Sequence, residues 1–250
     1  MKKTVLYEEA LVTYLDILGF RELVQTESAG RISRTIRLVR DALKPSHDRA
    51  KLYEMTYQSF SDLTVVSIPV LTSANLYFRP GALRQQIVRV ANAQVDLLQE
   101  GIVVRGAITF GSIVRSYGQL FGPALIKAYD LESKVAIYPR VIIDDIVFRE
   151  LKRNPALTMS GGEDEEREIM RLVIEDRDHH RFIDYLSVFY RRSDSRPFRR
   201  FLKDHKQLID KGLEEFSENE SVVEKYRWMA AYHNRKIKEL RVRKATFISV

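Results

Sequence analysis

One stretch constrains the fold more than any other: Ala10-Leu11-Val12-Thr13-Tyr14-Leu15-Asp16-Ile17-Leu18, an apolar run with a single carboxylate near its end and Gly19 directly after it. Its length and β-branched content predict a buried strand within Leu6–Leu18. An acidic side chain inside such a strand costs desolvation energy unless it is paired or binds a cation. A second lone carboxylate, Asp62, lies between two extended runs, Lys51–Phe60 and Leu63–Val70, at the polar tip of a predicted hairpin. A fold that brings the two together must raise one pKa or place a divalent ion between them. On spacing alone, each aspartate reads equally well as the cap of a local turn.

The remaining pattern alternates helices with strands. Helical spacing runs over Phe20–Leu43 and from Pro80 through Gln99, where Gly101 closes the helix. Ile102–Thr109 and Ser112–Leu120 read as two strands, Pro123–Val135 as a helix, Arg140–Ile143 as a strand and Asp144–Lys152 as a short helix. Pro155–Glu168, with Gly161-Gly162-Glu163-Asp164-Glu165 in its middle, reads as a polar loop. Leu172–Ile174 and Phe182–Phe189 suggest a last pair of strands, and Phe198–Phe216 and Glu220–Arg241 two helices, the first weakened by Gly212. The expected class is α+β, a mixed and mainly antiparallel sheet with helices, over residues 1–190, plus a basic helical extension over residues 191–250 packed on it.

Composition narrows the chemistry. With no cysteine, disulfides, thiolate metal sites and a cysteine nucleophile are excluded. No apolar stretch is long enough to span a bilayer, and the acidic residues Glu8, Glu9 and Asp16 argue against a signal peptide, so a cytoplasmic protein is expected. The net charge of +7 sits in the last sixty residues, where sixteen Lys and Arg face nine Asp and Glu. A basic tail on a neutral body suits a phosphate or an acidic partner, and equally a solvated helical face.

Four segments carry a family resemblance. Asp16-Ile17-Leu18-Gly19-Phe20 resembles the first metal motif of class III nucleotide cyclases, and Phe60-Ser61-Asp62 the hairpin tip bearing their second metal aspartate. Val104-Arg105-Gly106-Ala107-Ile108-Thr109-Phe110-Gly111 resembles their RxGIxxG strand, and Gly118-Gln119-Leu120-Phe121-Gly122-Pro123-Ala124-Leu125 the loop entering their last catalytic helix. The segments keep the family order over residues 8–145. The resemblance implies a cyclase homology domain with a ferredoxin-like core, acting as a homodimer with composite active sites. It implies two divalent cations, Mg²⁺ or Mn²⁺, held by Asp16, Asp62 and the backbone carbonyl of Ile17. It further implies that the Leu18-Gly19-Phe20 turn meets the substrate phosphates at a helix start.

The departures are specific. The family's purine-reading lysine falls on Gln58, its second base reader on Gln119, and its transition-state asparagine and arginine on Ile126 and Asp130. Both metal aspartates are kept while the purine apparatus is not, a pattern similar to the pyrimidine cyclases of bacterial Pycsar anti-phage systems. The expected substrate is therefore UTP or CTP, with UTP favoured, converted to the 3′,5′-cyclic monophosphate and pyrophosphate. Arg105 is the expected replacement for the missing cation, ahead of Arg115, Lys127 or a basic residue of the tail. Gln58, Gln119 and Tyr57 are the expected base contacts, since an amide can both donate to and accept from a pyrimidine. The expected partner is a separate effector protein reached through the cyclic nucleotide; no membrane and no nucleic acid is expected. The alternatives are a purine cyclase and an inactive cyclase-fold binding module.

Overall fold

The computed structural model describes residues 5–77, 81–116, 118–154, 157, 162–193, 195–242 and 247–249. The central strand β1 spans Glu8–Ile17. Period-two alternation sends Leu11, Leu15 and Ile17 to one face, where they join the main core, and Ala10 and Val12 to the other, where they join a smaller apolar cluster. Asp16 shares the second face. Strands β2 (Thr56–Phe60), β3 (Leu63–Pro69) and β4 (Val104–Ser116) complete a four-stranded unit. Its order, β2-β3-β1-β4, is antiparallel throughout. The crossovers between β1 and β2 and between β3 and β4 are helical, which is the ferredoxin-like βαββαβ arrangement.

The β1–β2 connection holds α1 (Phe20–Thr26), α2 (Ala29–Leu43) and α3 (His47–Leu52); α4 (Ser73–Tyr77) and α5 (Ala82–Gln99) link β3 to β4. Gln86 of α5 donates to Thr13 Oγ1 of β1 at 2.9 Å, fixing that helix on the main-core face. Beyond β4 come β5 (Gln119–Phe121), α6 (Pro123–Asp130, continued as a π-turn over Leu131–Val135), β6 (Val141–Ile143), α7 (Asp145–Arg153), α8 (Gly162–Met170), β7 (Val173–Glu175) and β8 (Arg181–Ile183). They extend the sheet on the β4 side in the order β6-β8-β7, β6 running parallel to β4, while β5 pairs with the far end of β4. Among the described helices, α6 packs on the second face, through Ala124 and Ala128.

Helices α9 (Tyr185–Arg192), α10 (Ser195–Glu215) and α11 (Glu220–Glu239) close the chain. Phe198, Phe201, Leu202 and Ile209 of α10 and Met229, Ala230 and Ile237 of α11 belong to the same core as α5 and β1. Gly212 does not break α10: an added Cβ would lie 2.2 Å from the ring of Tyr226, so its bare backbone lets α11 approach. Under α11 lies a polar network. Lys236 Nζ and the Tyr232 hydroxyl both donate to Asp184, each at 2.7 Å. The Tyr185 hydroxyl meets His205 Nε2 at 2.9 Å, and His205 Nδ1 meets His233 Nδ1 at 2.9 Å.

Several expectations are corrected. Phe20–Leu43 is two helices, because Ser28 caps a new one by accepting from the Arg31 N–H at 3.3 Å. Residues 51–55 belong to α3 and a turn with Glu54 at positive φ, not to a strand. Ile102–Thr109 and Ser112–Leu120 are not two strands: β4 runs unbroken through Gly111 to Ser116, and the next strand, β5, begins only at Gln119. The stretch after Pro155 is helical from residue 162, since Glu165 turns inward to accept the Gly81 N–H at 2.6 Å and Ile169 is buried. The strand read over Phe182–Phe189 ends at Ile183, where Asp184 caps α9 by accepting from the Ser187 N–H at 3.2 Å. Pro80, Pro155 and Gly161 lie outside the described residues.

Candidate active site

Asp16 faces Arg105 across the β1–β4 ladder, and Asp62 follows β2 at the tip of the hairpin two strands away. The two carboxyl groups are near neighbours, close enough for Asp62 to act on the Asp16 pKa. Glu132, on the π-turn after α6, lies beside them with its side chain only 4% exposed. Arg105 Nε stands 2.7 Å from Glu132 Oε1, off the N–H direction, and Arg105 Nη2 stands 3.7 Å from Asp16 Oδ2. Two acids thus meet one guanidinium, with Asp62 beside one of them. Burial, the neighbouring Asp62 carboxyl and the Glu132 charge push the Asp16 carboxyl up to about 7, against the opposing pull of Arg105. Burial raises Glu132 as well. The neighbouring Tyr14 hydroxyl is pushed up to about 12, first by burial and then by the charges of Glu132 and Asp16.

Among the described residues no group of three or more His, Asp or Glu side chains is arranged as a metal cage. The donor set still suits a hard divalent cation. Asp16 and Asp62 are paired oxygen ligands with an excess of negative charge, and Mg²⁺ characteristically takes one or two carboxylates and completes its shell with substrate oxygens and water.

The turn after β1 is set by Gly19, at φ +81, a left-handed conformation that costs a side-chain-bearing residue strain. It starts α1, whose first N–H groups have no intrahelical acceptor. The Leu18 N–H is already used, donating to the Val103 carbonyl at 2.9 Å, so the open part of the turn is Gly19–Phe20.

Gln58 lies on the same face as Asp16 and lines a cavity of about 350 Å³ with Tyr14, Phe60, Leu120, Ile126 and Tyr129. Its amide nitrogen donates to the Gly118 carbonyl at 2.8 Å, tying β2 to the β4–β5 hairpin and placing Gln58 near Gln119, which is exposed at the start of β5. Tyr57 is corrected. It pairs with Val66 of the main-core face, and its hydroxyl donates to the Arg40 carbonyl of α2 at 2.6 Å, so it points away from Asp16. Arg115 is not available either, because it is engaged by Glu8 at 2.6 Å and by Thr56. Ile126, Lys127 and Tyr129 are exposed on α6.

Two residues of this region were not singled out from sequence. Glu132 gave a weak signal, an acid at helical spacing from Ala128 that the π-turn carries inward. Lys225 of α11 gave none. It is half-buried, and burial, followed by the like charge of Arg105, lowers its pKa. It lines a cavity of about 480 Å³ whose opposite wall is Ile17, Leu18 and Gly19.

No helix among the described residues is long and apolar enough to cross a membrane. No family model and no curated protein matches the chain. Solved structures that it resembles include cyclases. A bacterial light-regulated adenylyl cyclase is 13% identical over 59% of this chain and 46% of its own, with a TM-score of 0.45. The chain thus spans just under half the length of that protein. The adenylyl cyclase CyaB from P. aeruginosa is 16% identical over 72% of this chain and 94% of its own, with a TM-score of 0.45. The guanylyl cyclase Cya2 is 11% identical over 72% of this chain and 91% of its own, with a TM-score of 0.43.

Proposed function

We propose that this protein is a metal-dependent nucleotide cyclase. The carrying observation is the neighbouring pair of Asp16 and Asp62 at the end of β1, with the Arg105 guanidinium between Asp16 and Glu132. Such a surplus of negative charge works against the fold and is offset by a cation. Asp16, Asp62 and the Ile17 carbonyl are the groups that would hold two Mg²⁺ or Mn²⁺ ions. When bound, such ions neutralise phosphate charge and make a ribose hydroxyl more acidic.

The chain's own residues supply the rest. The Gly19–Phe20 turn offers backbone N–H groups to the phosphates. Arg105, freed from Asp16 by charge compensation, meets the α-phosphate, and Lys225 adds a second cation near it. The 3′-oxygen attacks the α-phosphorus and passes its proton to solvent water, the bond from the α-phosphorus to the bridging oxygen breaks, and pyrophosphate leaves. The exposed apolar face around the site, where Phe60 is 82% and Ile126 64% exposed, is proposed as the contact with a second copy that completes it. Residues 1–190 would be the catalytic unit and 191–250 its extension.

For the base, we propose a pyrimidine, UTP or CTP. Gln58 spends one N–H on Gly118 and keeps Oε1 to accept from a ring N–H or an amino group, with Gln119 at the rim. The defence role and the separate effector follow from the sequence resemblance. Incubation of the protein with each of the four nucleoside triphosphates and Mn²⁺, followed by chromatography, tests both levels. A cyclic purine product would keep the cyclase reading and refute the pyrimidine one; no cyclic product from any of them would refute both.

A further inference from the structure

A second polar cavity lies on the other side of the sheet from Asp16. Its volume is about 550 Å³, within the range of small-molecule sites. It is walled by the segment between α2 and α3, by α3, by the outward stripe of α5 and by the end of α9. Five cationic side chains converge there, Lys44, Arg49, Arg84, Arg89 and Arg192, against one carboxylate, Asp96. Val88 and Ala93 of α5 give it a short apolar floor.

Two of those arginines are inadequately satisfied. Arg84 Nε and Arg89 Nη1 are shut off from solvent and have no hydrogen-bond partner. Asn92 Oδ1, one turn further along α5, is in the same condition. Burial lowers the Arg89 pKa, and the like charge of Arg49 lowers it further. Burial raises the Asp96 carboxyl, with Arg192 opposing. A buried donor without an acceptor costs stability, the more so when charged, and crowded guanidinium groups add repulsion. An anion with several oxygens removes both costs together, because each guanidinium presents a planar fork of donors that matches phosphate.

We propose that this cavity binds a small phosphorylated compound carrying at least two phosphate groups, with Arg84 and Arg89 as its inner contacts and Lys44, Arg49 and Arg192 at the mouth. A single phosphate would leave the cavity cationic, and the apolar floor beside Val88 accommodates an organic portion. The diphosphate group is the shared chemistry. It can come from inorganic pyrophosphate or from a nucleoside diphosphate. The inference does not rest on the cyclase reading, since the sheet and α5 separate the two sites.

The test is titration calorimetry on the full chain in EDTA, which keeps divalent ions out of the carboxylate site. The probes are inorganic pyrophosphate, a nucleoside diphosphate and a single-stranded oligonucleotide, at two salt concentrations. One-to-one binding of either small probe is expected, weakened at least tenfold in Arg84→Gln and in Arg89→Gln and unchanged in Arg227→Gln, which alters an exposed arginine of α11. Tighter binding of pyrophosphate or of the nucleoside diphosphate identifies the source. Without ligand, Arg89→Gln should melt no lower than wild type. If an α5 variant does not fold, Arg49→Gln, at an exposed position, should still weaken binding several-fold. Absence of binding by both small probes, equal affinity in the foldable variants, or binding of the oligonucleotide alone would overturn the proposal.

Discussion

The Asp16 carboxyl group stands beside that of Asp62, although a helical crossover and a strand separate them in the chain. Two carboxylates brought this close repel each other, and a divalent ion placed between them relieves the repulsion. Mg²⁺ or Mn²⁺ should therefore raise the melting temperature of the wild-type protein by several degrees, and EDTA should reverse it. Asp16→Asn and Asp62→Asn should abolish that rise and lower turnover at least a hundredfold, while their metal-free melting temperatures equal or exceed the wild-type value. Thermal shift and product formation, measured side by side, check it.

Arg105 compensates Glu132, whose side chain is buried. Arg105→Met should leave that carboxylate without its cation and cost about 3 kcal/mol. The double variant Arg105→Met/Glu132→Gln should recover most of the stability and none of the turnover. Urea denaturation of the two variants separates the structural effect from the chemical one.

Gln58 and Tyr57 are neighbours in sequence with opposite duties. Gln58→Leu should lower kcat/KM about tenfold for the preferred triphosphate, as loss of roughly one well-made hydrogen bond would. Tyr57→Phe should leave the ranking of UTP, CTP, ATP and GTP unchanged and cost about 1 kcal/mol of stability, since it removes only the bond to the Arg40 carbonyl. Relative kcat/KM values for the four substrates are the measurement.

Phe60 and Ile126 project from the face that carries Asp16. Phe60→Glu should shift the protein to a smaller mass in light scattering and abolish turnover without lowering the monomer's melting temperature. A mass unaltered by the substitution would mean that this face is not the contact.

The buried His205 makes stability depend on acid. Burial, and then the proximity of His233, holds the His205 pKa well below its ordinary 6.5. The unfolded chain takes up a proton below about 6.5 while the folded chain does not, so stability is complete above that pH and declines as pH falls beneath it. The slope is about 1.4 kcal/mol per pH unit for this one histidine kept neutral. Urea midpoints between pH 7.5 and 5 should show the decline, and His205→Leu should flatten it.

How far the sequence reached depended on the range of the interactions. Strand β1, the Asp62 hairpin tip and the two terminal helices were legible because strand alternation, Gly19 and helical apolar spacing are local signals. The helix after residue 162 was not, since its polar sequence is held by Glu165 reaching back to the Gly81 N–H. Nor was the unbroken course of β4 through Gly111, which is held by ten consecutive partners on β1. At the site, the sequence by itself determined which carboxylates interrupt apolar strands. Tertiary structure alone decided that they are near neighbours, that Glu132 and Lys225 stand close to Arg105, and that Tyr57 turns away. Those outcomes depend on strand register and helix packing across long stretches of chain, where a shift of one residue reverses a side chain's face.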